Sequence, residues 1–242
     1  MVSAMNGAGE PTAAGAAALP GHPALPPGQR PAELRRFGLP PFAGVRPRPS
    51  ADPVVTVTGA VRHPAQLRAA DLTGLPDRRD QRSDLHCVTT WSAVGLDWQG
   101  VPFAAVHELL AEVVRPHPAA RWVVVVGLDG YRSCLHLDDA LADDVLLADG
   151  LAGSALTVAT GGPVRLVTPR LYGYKSVRHV CGIEYRLRYE PGSAGWMGHP
   201  RGRVDREERS RLLPGRVWRP VWRALQPRVR RVYAGAAARV GN

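Results

Sequence analysis

Cysteine is scarce in this chain, and no two cysteines are spaced to act together. Cys87, Cys134 and Cys181 are the only three, with no C-x-x-C pair among them. That pattern argues against a disulfide framework, a zinc knuckle, an iron–sulfur site or an attached c-type haem. One thiol acting alone stays open. Lysine is scarcer still: Lys175 is the single lysine among 31 cationic side chains. Such arginine usage suggests coding bias, and a lysine kept against it is either chance or a position that wants a compact, mobile ammonium. There is no P-loop, no G-x-G-x-x-G and no H-E-x-x-H, so the common nucleotide and zinc-hydrolase signatures are missing. No run reaches the roughly 18 apolar residues that span a bilayer. The N-terminus lacks the apolar h-region of a secretory signal. Arg35-Arg36-Phe37 is followed by GLPPFAGVRPRP, whose four prolines forbid an export helix. The cytoplasm is the expected compartment.

Acid is what the C-terminal part lacks. From Trp196 to Asn242 twelve arginines face only Asp205, Glu207 and Glu208, a net +9 of the chain's +10. The middle is therefore close to neutral, which excludes a uniformly basic nucleic-acid binder. The first 31 residues are rich in Ala, Gly and Pro and nearly free of large apolar side chains. Composition thus predicts a disordered arm over 1–31, a folded domain over 32–192 and a basic Arg/Trp-rich extension over 193–242. With 242 residues, 45% of them hydrophobic, the chain can bury a sizeable core.

What is present is strand-rich. PVVTVTGAV (53–61), DLHCVTTWS (84–92), RWVVVVGLDGY (121–131), VRLVTP (164–169) and KSVRHVCGIEYRLRYE (175–190) read as strands. VPFAAVHELLAEVV places Phe103, Val106, Leu110 and Val113 on one helical face. PAQLRAADLTGLP reads as a short helix closed by Gly and Pro. Regular βαβ alternation is missing, so the fold class is α+β. In the tail, Val217, Val221, Trp222, Leu225, Val229 and Val232 fall near helical spacing, and Pro220 and Pro227 are expected to cut that helix into pieces.

Three stretches can carry chemistry. Cys87 sits where a strand opens into a loop, between His86 and a Thr-Trp-Ser turn. A lone cysteine is more often a small packing residue, but a strand–loop junction is where a fold presents a reactive side chain. Cys134 and Cys181 lie in regular strand patterns and read as packing residues. In TPRLYGYKSVRHVCGIEY, Lys175, Ser176 and Arg178 follow a glycine turn. Free backbone N–H groups beside a cation and a hydroxyl suit an oxyanion; a solvated surface loop is the plain alternative. ATGGPVRLVTP brings two glycines before Arg165, either for close approach of a ligand or as an ordinary turn.

In order, HCVTTWS, GLDWQGVPF, DGYRSCLHLDDAL, LLADGLAGSAL and GGPVRLVTPRLYGYKSVRHVCGIEY resemble the sulfite oxidase family of molybdopterin-dependent oxidoreductases, in its bacterial haem-free branch. The resemblance runs from about Val54 to Tyr189. It implies a sulfite-oxidase-type α+β domain of mixed β-sheets with short helices. It also implies a Mo-molybdopterin cofactor whose metal takes one protein thiolate, here Cys87; a soft metal suits a deprotonated thiol. By the same resemblance Arg165, Thr160, Ser176, Val177, Arg178 and His86 hold the pterin. Tyr131 is an active-site tyrosine near the metal, and Lys175 is a substrate-facing cation. The pattern departs at Ser92, where sulfite oxidases carry an arginine, and at Thr160, where relatives often carry Asn or His. The N-terminal Phe-x-Arg-x-His signature is missing. One cation fewer near the metal favours a neutral sulfoxide over sulfite.

The implied activity is oxygen-atom transfer to or from a small sulfur- or nitrogen-oxo substrate. No second redox motif is visible, so electrons pass to or from a separate haem protein, flavoprotein or membrane quinone-linked subunit. The basic tail suggests a peripheral membrane contact; nucleic acid is not an expected partner. The rival reading is a non-catalytic anion- or membrane-binding module that keeps the scaffold.

Overall fold

The computed structural model describes residues 24–238 of the chain. In chain order its elements are β1 (Arg30–Pro31), β2 (Val54–Gly59), β3 (Ala65–Arg68), α1 (Ala69–Thr73), β4 (Arg79–Cys87), β5 (Trp91–Pro102), α2 (Phe103–Val114), β6 (Trp122–Gly127), β7 (Arg132–His136), α3 (Leu137–Ala140), β8 (Leu146–Leu151), β9 (Ser154–Ala155), β10 (Arg165–Val167), β11 (Val180–Arg186) and α4 (Gly215–Ala238).

They form two mixed sheets. One has the order β3-β2-β11-β6-β7, in which β11 runs parallel to β2 and antiparallel to β6. The other follows β1-β5-β8-β10, with β4 on β5 and β9 on β8. Alternation decides the inner face of the first sheet: Val55, Val57, Ile183 and Tyr185 are buried, while Val54 between solvent and sheet is exposed. They meet Phe103, Val106, Leu110 and Val114 of α2, and Val101, Leu147 and Leu166 of the second sheet. The core thus lies between the two sheets and α2. Val114, not Val113, completes the α2 stripe. Residue 114 lies eleven after Phe103, close to three full turns, whereas 113 falls most of a quarter-turn away.

The α+β class expected from the sequence is the observed one. The chain's ends behave differently from expectation. Residues 24–31 are not a free arm. Arg30 N–H donates to Thr90 O at 3.2 Å, Ala32 N–H donates to Ser92 O at 2.8 Å, and β1 pairs with β5. Residues 1–23 lie outside the described residues. The basic extension from residue 193 packs on the domain. Arg201 pairs with Asp139, Arg203 with Glu208 at 2.6 Å, and Arg209 is wholly buried. Pro220 and Pro227 do not cut the tail, because α4 runs through both. Each proline removes one backbone donor. Both lie on the exposed side, so the carbonyls they leave unpaired face water. Tyr233 anchors the far end, its hydroxyl donating to Leu39 O at 3.0 Å.

Candidate functional site

Cys87 ends β4 at a tight hairpin: it pairs with Trp91, and the three residues between close the turn. Thr90 sits in the left-handed region (φ 72°), and its N–H donates to Cys87 O at 3.1 Å, as three-residue hairpin loops require. This turn holds the thiol at the wall of a cavity of about 600 Å3, the size range of a cofactor pocket. Sγ lies 3.1 Å from Thr89 Oγ1. Burial pushes the thiol above its ordinary pKa, with Thr89 and Arg209 acting the other way. A metal bound here displaces a proton.

Six arginines line the same cavity, and two of them, Arg165 and Arg178, lie beside its glycines. Arg165, on β10, is 5% exposed and stacks over the Trp98 ring at 4.9 Å. One guanidinium nitrogen donates to Thr160 O at 2.6 Å, and its buried Nε has no acceptor. Burial, and then Arg178, pull its pKa down to about 9, which leaves it cationic at neutral pH. Among the described residues no carboxylate pairs with Arg165 or Arg178. Two guanidiniums on a cavity whose lining holds one carboxylate, Asp129, suit an anion. Two glycines permit the approach. Gly161 has φ +107°, and a Cβ there would meet Arg178 Cγ at 2.8 Å; a Cβ on Gly127 would meet Arg178 O at 2.4 Å.

The loop from Gly173 to Arg178 forms the floor. Gly173 N–H donates to His86 O at 2.7 Å, which ties the loop to β4. The amides of Ser176, Val177 and Arg178 donate to no backbone carbonyl among the described residues, and Ser176 and Arg178 line the cavity. The Ser176 hydroxyl is held 3.0 Å from Thr168 Oγ1. Val177 places its side chain in the main core, so only its backbone can reach a ligand. Thr160 lines the cavity, but its hydroxyl serves the Thr157 turn, accepting from Thr157 N–H at 2.9 Å. Its contribution to the site is the carbonyl that fixes Arg165. Tyr131 lines the cavity, and its hydroxyl donates to Tyr174 O at 2.6 Å. Burial raises that phenol, so it stays neutral.

Two expected site residues point elsewhere. Lys175 is 2% exposed, and its ammonium donates to Cys134 O at 2.5 Å and Pro200 O at 2.6 Å. It faces away from the cavity and ties the loop to the tail, so it is not a substrate-facing cation. Burial lowers its pKa to about 8. Lys175→Met strands two buried carbonyls, and is expected to cost about 2–4 kcal/mol in thermal or denaturant unfolding. It leaves the preference between anionic and neutral oxo-substrates unchanged. His86 does not join Cys87, because neighbours on a strand face opposite ways. Its ring Nδ1 lies 2.7 Å from Ser92 Oγ, on the side of an open groove that Asp138 and Arg201 border. Only its carbonyl serves the site.

Sequence reasoning missed Arg209. It is fully buried, donates to Val88 O at 2.7 Å and Pro27 O at 3.0 Å, and stacks on Tyr172 at 4.9 Å. The tail thus fixes the turn that carries Cys87. In DREERSRL nothing separates Arg209 from its solvated neighbours. Arg209→Met should lower stability by about 2–4 kcal/mol. It should also loosen metal retention, measured by metal content after dialysis.

The family model for the oxidoreductase molybdopterin binding domain matches residues 45–194. The chain belongs to this family. Its sulfite-oxidase-type fold and its cofactor class follow from that membership. Similar proteins agree. An uncharacterized oxidoreductase, YuiH, of Bacillus subtilis (strain 168) is 37% identical over 136 residues, 56% of this chain and 66% of that protein. The protein-methionine-sulfoxide reductase catalytic subunit MsrP of Gluconobacter oxydans (strain 621H) is 32% identical over 148 residues, 56% of this chain and 47% of that protein. The sulfane dehydrogenase SoxCD of Paracoccus pantotrophus shares the fold, with a TM-score of 0.51 at 22% identity over 67% of this chain and 45% of that one. The chain thus spans about half to two thirds of the length of these relatives. The cavity suits the family's cofactor: one thiol, Cys87, for the metal, and Arg165 and Arg178 on the same lining for a phosphorylated pterin.

Proposed function

We propose that the protein transfers an oxygen atom to or from a small sulfur- or nitrogen-oxo substrate, with a neutral sulfoxide as the best-fitting class. One observation carries this reading: Cys87, Arg165 and Arg178 line the same cavity. Bound molybdopterin supplies a molybdenum centre able to exchange two electrons and one oxygen. The chain's own groups do the rest. Cys87 supplies the thiolate. Arg165, Arg178 and the 176–178 amides fix the anionic end of the pterin. Above them the mouth is apolar, walled by Phe37, Leu39, Phe42, Met197, Leu225 and Val232. Arg35, Arg36 and Arg228 line the same cavity, and it is the breadth of the apolar wall that supports a neutral substrate over an oxyanion. In the reducing direction a sulfoxide, two electrons and two protons give a sulfide and water.

The electrons need an outside donor or acceptor, for no second redox group is built from the described residues. A haem protein, a flavoprotein or a membrane quinone-linked subunit fits that role; MsrP is named a catalytic subunit, in keeping with a separate partner. We place the protein in the cytoplasm, in keeping with three unpaired thiols. The test is elemental analysis for molybdenum and tungsten, beside fluorescence of the oxidised pterin released by acid. The protein should come from a host that makes molybdopterin. Near-stoichiometric metal and pterin, with turnover of a neutral sulfoxide exceeding that of sulfite, support the proposal. Folded protein that carries neither favours the non-catalytic anion-binding module instead.

A further inference from the structure

We propose that α4 docks the protein on an anionic bilayer surface. Only part of this helix is used by the domain. Tyr233 and Ala236 are buried against Ala43, and Val229 packs beside them. The next sector around the helix is apolar and uncovered. Val217 is 49% exposed, Val221 43%, Leu225 40% and Val232 38%. The first three recur every four residues, so they form one stripe. Leu212 and Leu213, just before the helix, are also exposed, at 55% and 50%. Single exposed apolar residues need no explanation, but an aligned row of four on one helix does.

The charge beside the stripe identifies what covers it. α4 holds six arginines and no carboxylate. Arg219 is taken by Glu207, and Arg223 reaches Gly28 O at 3.3 Å. Arg216, Arg228 and Arg231 are exposed, and none forms an ion pair among the described residues. Arg216 and Arg231 flank the stripe, while Arg228 rises from its middle on a stem long enough to reach a headgroup. A second copy of the chain would bring the same positive charge to the contact. A lipid surface brings negative charge and an apolar layer together. Basic helices with a narrow apolar face lie in such interfaces. None of the described helices is long and apolar enough to cross a membrane, so the contact is peripheral. Leu225, Arg228 and Val232 also line the cavity. Docking therefore brings the cavity mouth to the lipid surface, within reach of a reductant held there.

The test is flotation of the full, cofactor-loaded chain with two kinds of vesicle: phosphatidylcholine alone, and phosphatidylcholine mixed with phosphatidylglycerol. The wild type is expected to float with the anionic vesicles only, and to be released by salt. Val217→Asp with Val221→Asp should weaken this by more than about tenfold and leave the melting temperature in place, since both side chains are exposed and outside the cavity. Arg216→Gln with Arg231→Gln should weaken it by about fivefold per residue. Three results overturn the proposal. One is equal binding to both vesicles or to neither. Another is undiminished binding by the Val217/Val221 variant. The third is a lipid-free dimer that this variant converts to monomer, which gives the stripe to a second copy. Binding should be the same with the cofactor removed, so failure here leaves the catalytic reading intact.

Discussion

Cys87→Ser should abolish activity and leave the fold in place. The thiol lies 3.1 Å from Thr89 Oγ1, a contact that a serine hydroxyl can keep. The cofactor-free protein should therefore melt within about 0.5 kcal/mol of wild type. The loaded protein has no second thiol to turn to: Cys134 is buried on β7, and Cys181 lies on β11, away from the cavity lining. A hydroxyl does not replace a thiolate on a soft metal, so turnover should fall by more than about a hundredfold, a loss greater than outer-shell changes cause. Metal content follows it down. Cys181→Ser serves as the control and keeps both. Full turnover by Cys87→Ser, measured beside its molybdenum content, would remove Cys87 as the ligand and with it the centre of the site.

The strand–loop junction in residues 84–92 marked where Cys87 sits, on the cavity wall, while its role as the metal ligand came from the family resemblance. Its neighbour misled for want of one step. If Cys87 faces the cavity, strand alternation sends His86 the other way, to Ser92. Lys175 misled for a subtler reason. Its rarity suggested function, but a residue beside a turn can point either way, and here the loop turns Ser176 to the cavity and Lys175 into the packing between core and tail. Arg209 could not be found, because its burial is created by the fold and not by any pattern around it. Among the elements, the apolar strands β2, β6 and β10 announced themselves. The first half of β4, RDQRSD, has no apolar alternation to mark a strand. It is a strand because it hydrogen-bonds to β5 at the sheet edge, where neither face needs to be apolar. β5 and β8 hid behind glycines and aspartates. Gly95, at φ +63°, and the Asp149-Gly150 pair resemble turns, and each lies at a register shift of a β-bulge kind, where the strand nonetheless runs on. The α4 prolines were over-read: a break costs little where the freed carbonyl meets water.

Arg165→Met should change the two states of the protein in opposite directions. Without cofactor, Arg165 is a buried cation near another cation, its Nε unsatisfied and its pKa pulled down to about 9. Methionine fills similar space beside Trp98 and removes the unpaired charge. The cofactor-free variant should therefore gain about 1–3 kcal/mol, by the rule that buried charges without partners give way to apolar side chains. With cofactor, the same guanidinium becomes one half of a charge-assisted contact to a phosphate. Its loss should weaken pterin retention by at least about tenfold to a hundredfold. Thermal melts of both forms, with pterin fluorescence after dialysis, read the two effects separately. Inorganic pyrophosphate should stabilise the cofactor-free wild type and leave the variant unmoved. Arg165→Lys should not restore retention, because an ammonium lacks the planar fork that lies on Trp98 and donates to Thr160 O together. Destabilisation of both forms would mean that Arg165 is a packing residue. Stabilisation of the empty form alone, with pterin still held, would move the anion to Arg178 and the 176–178 amides.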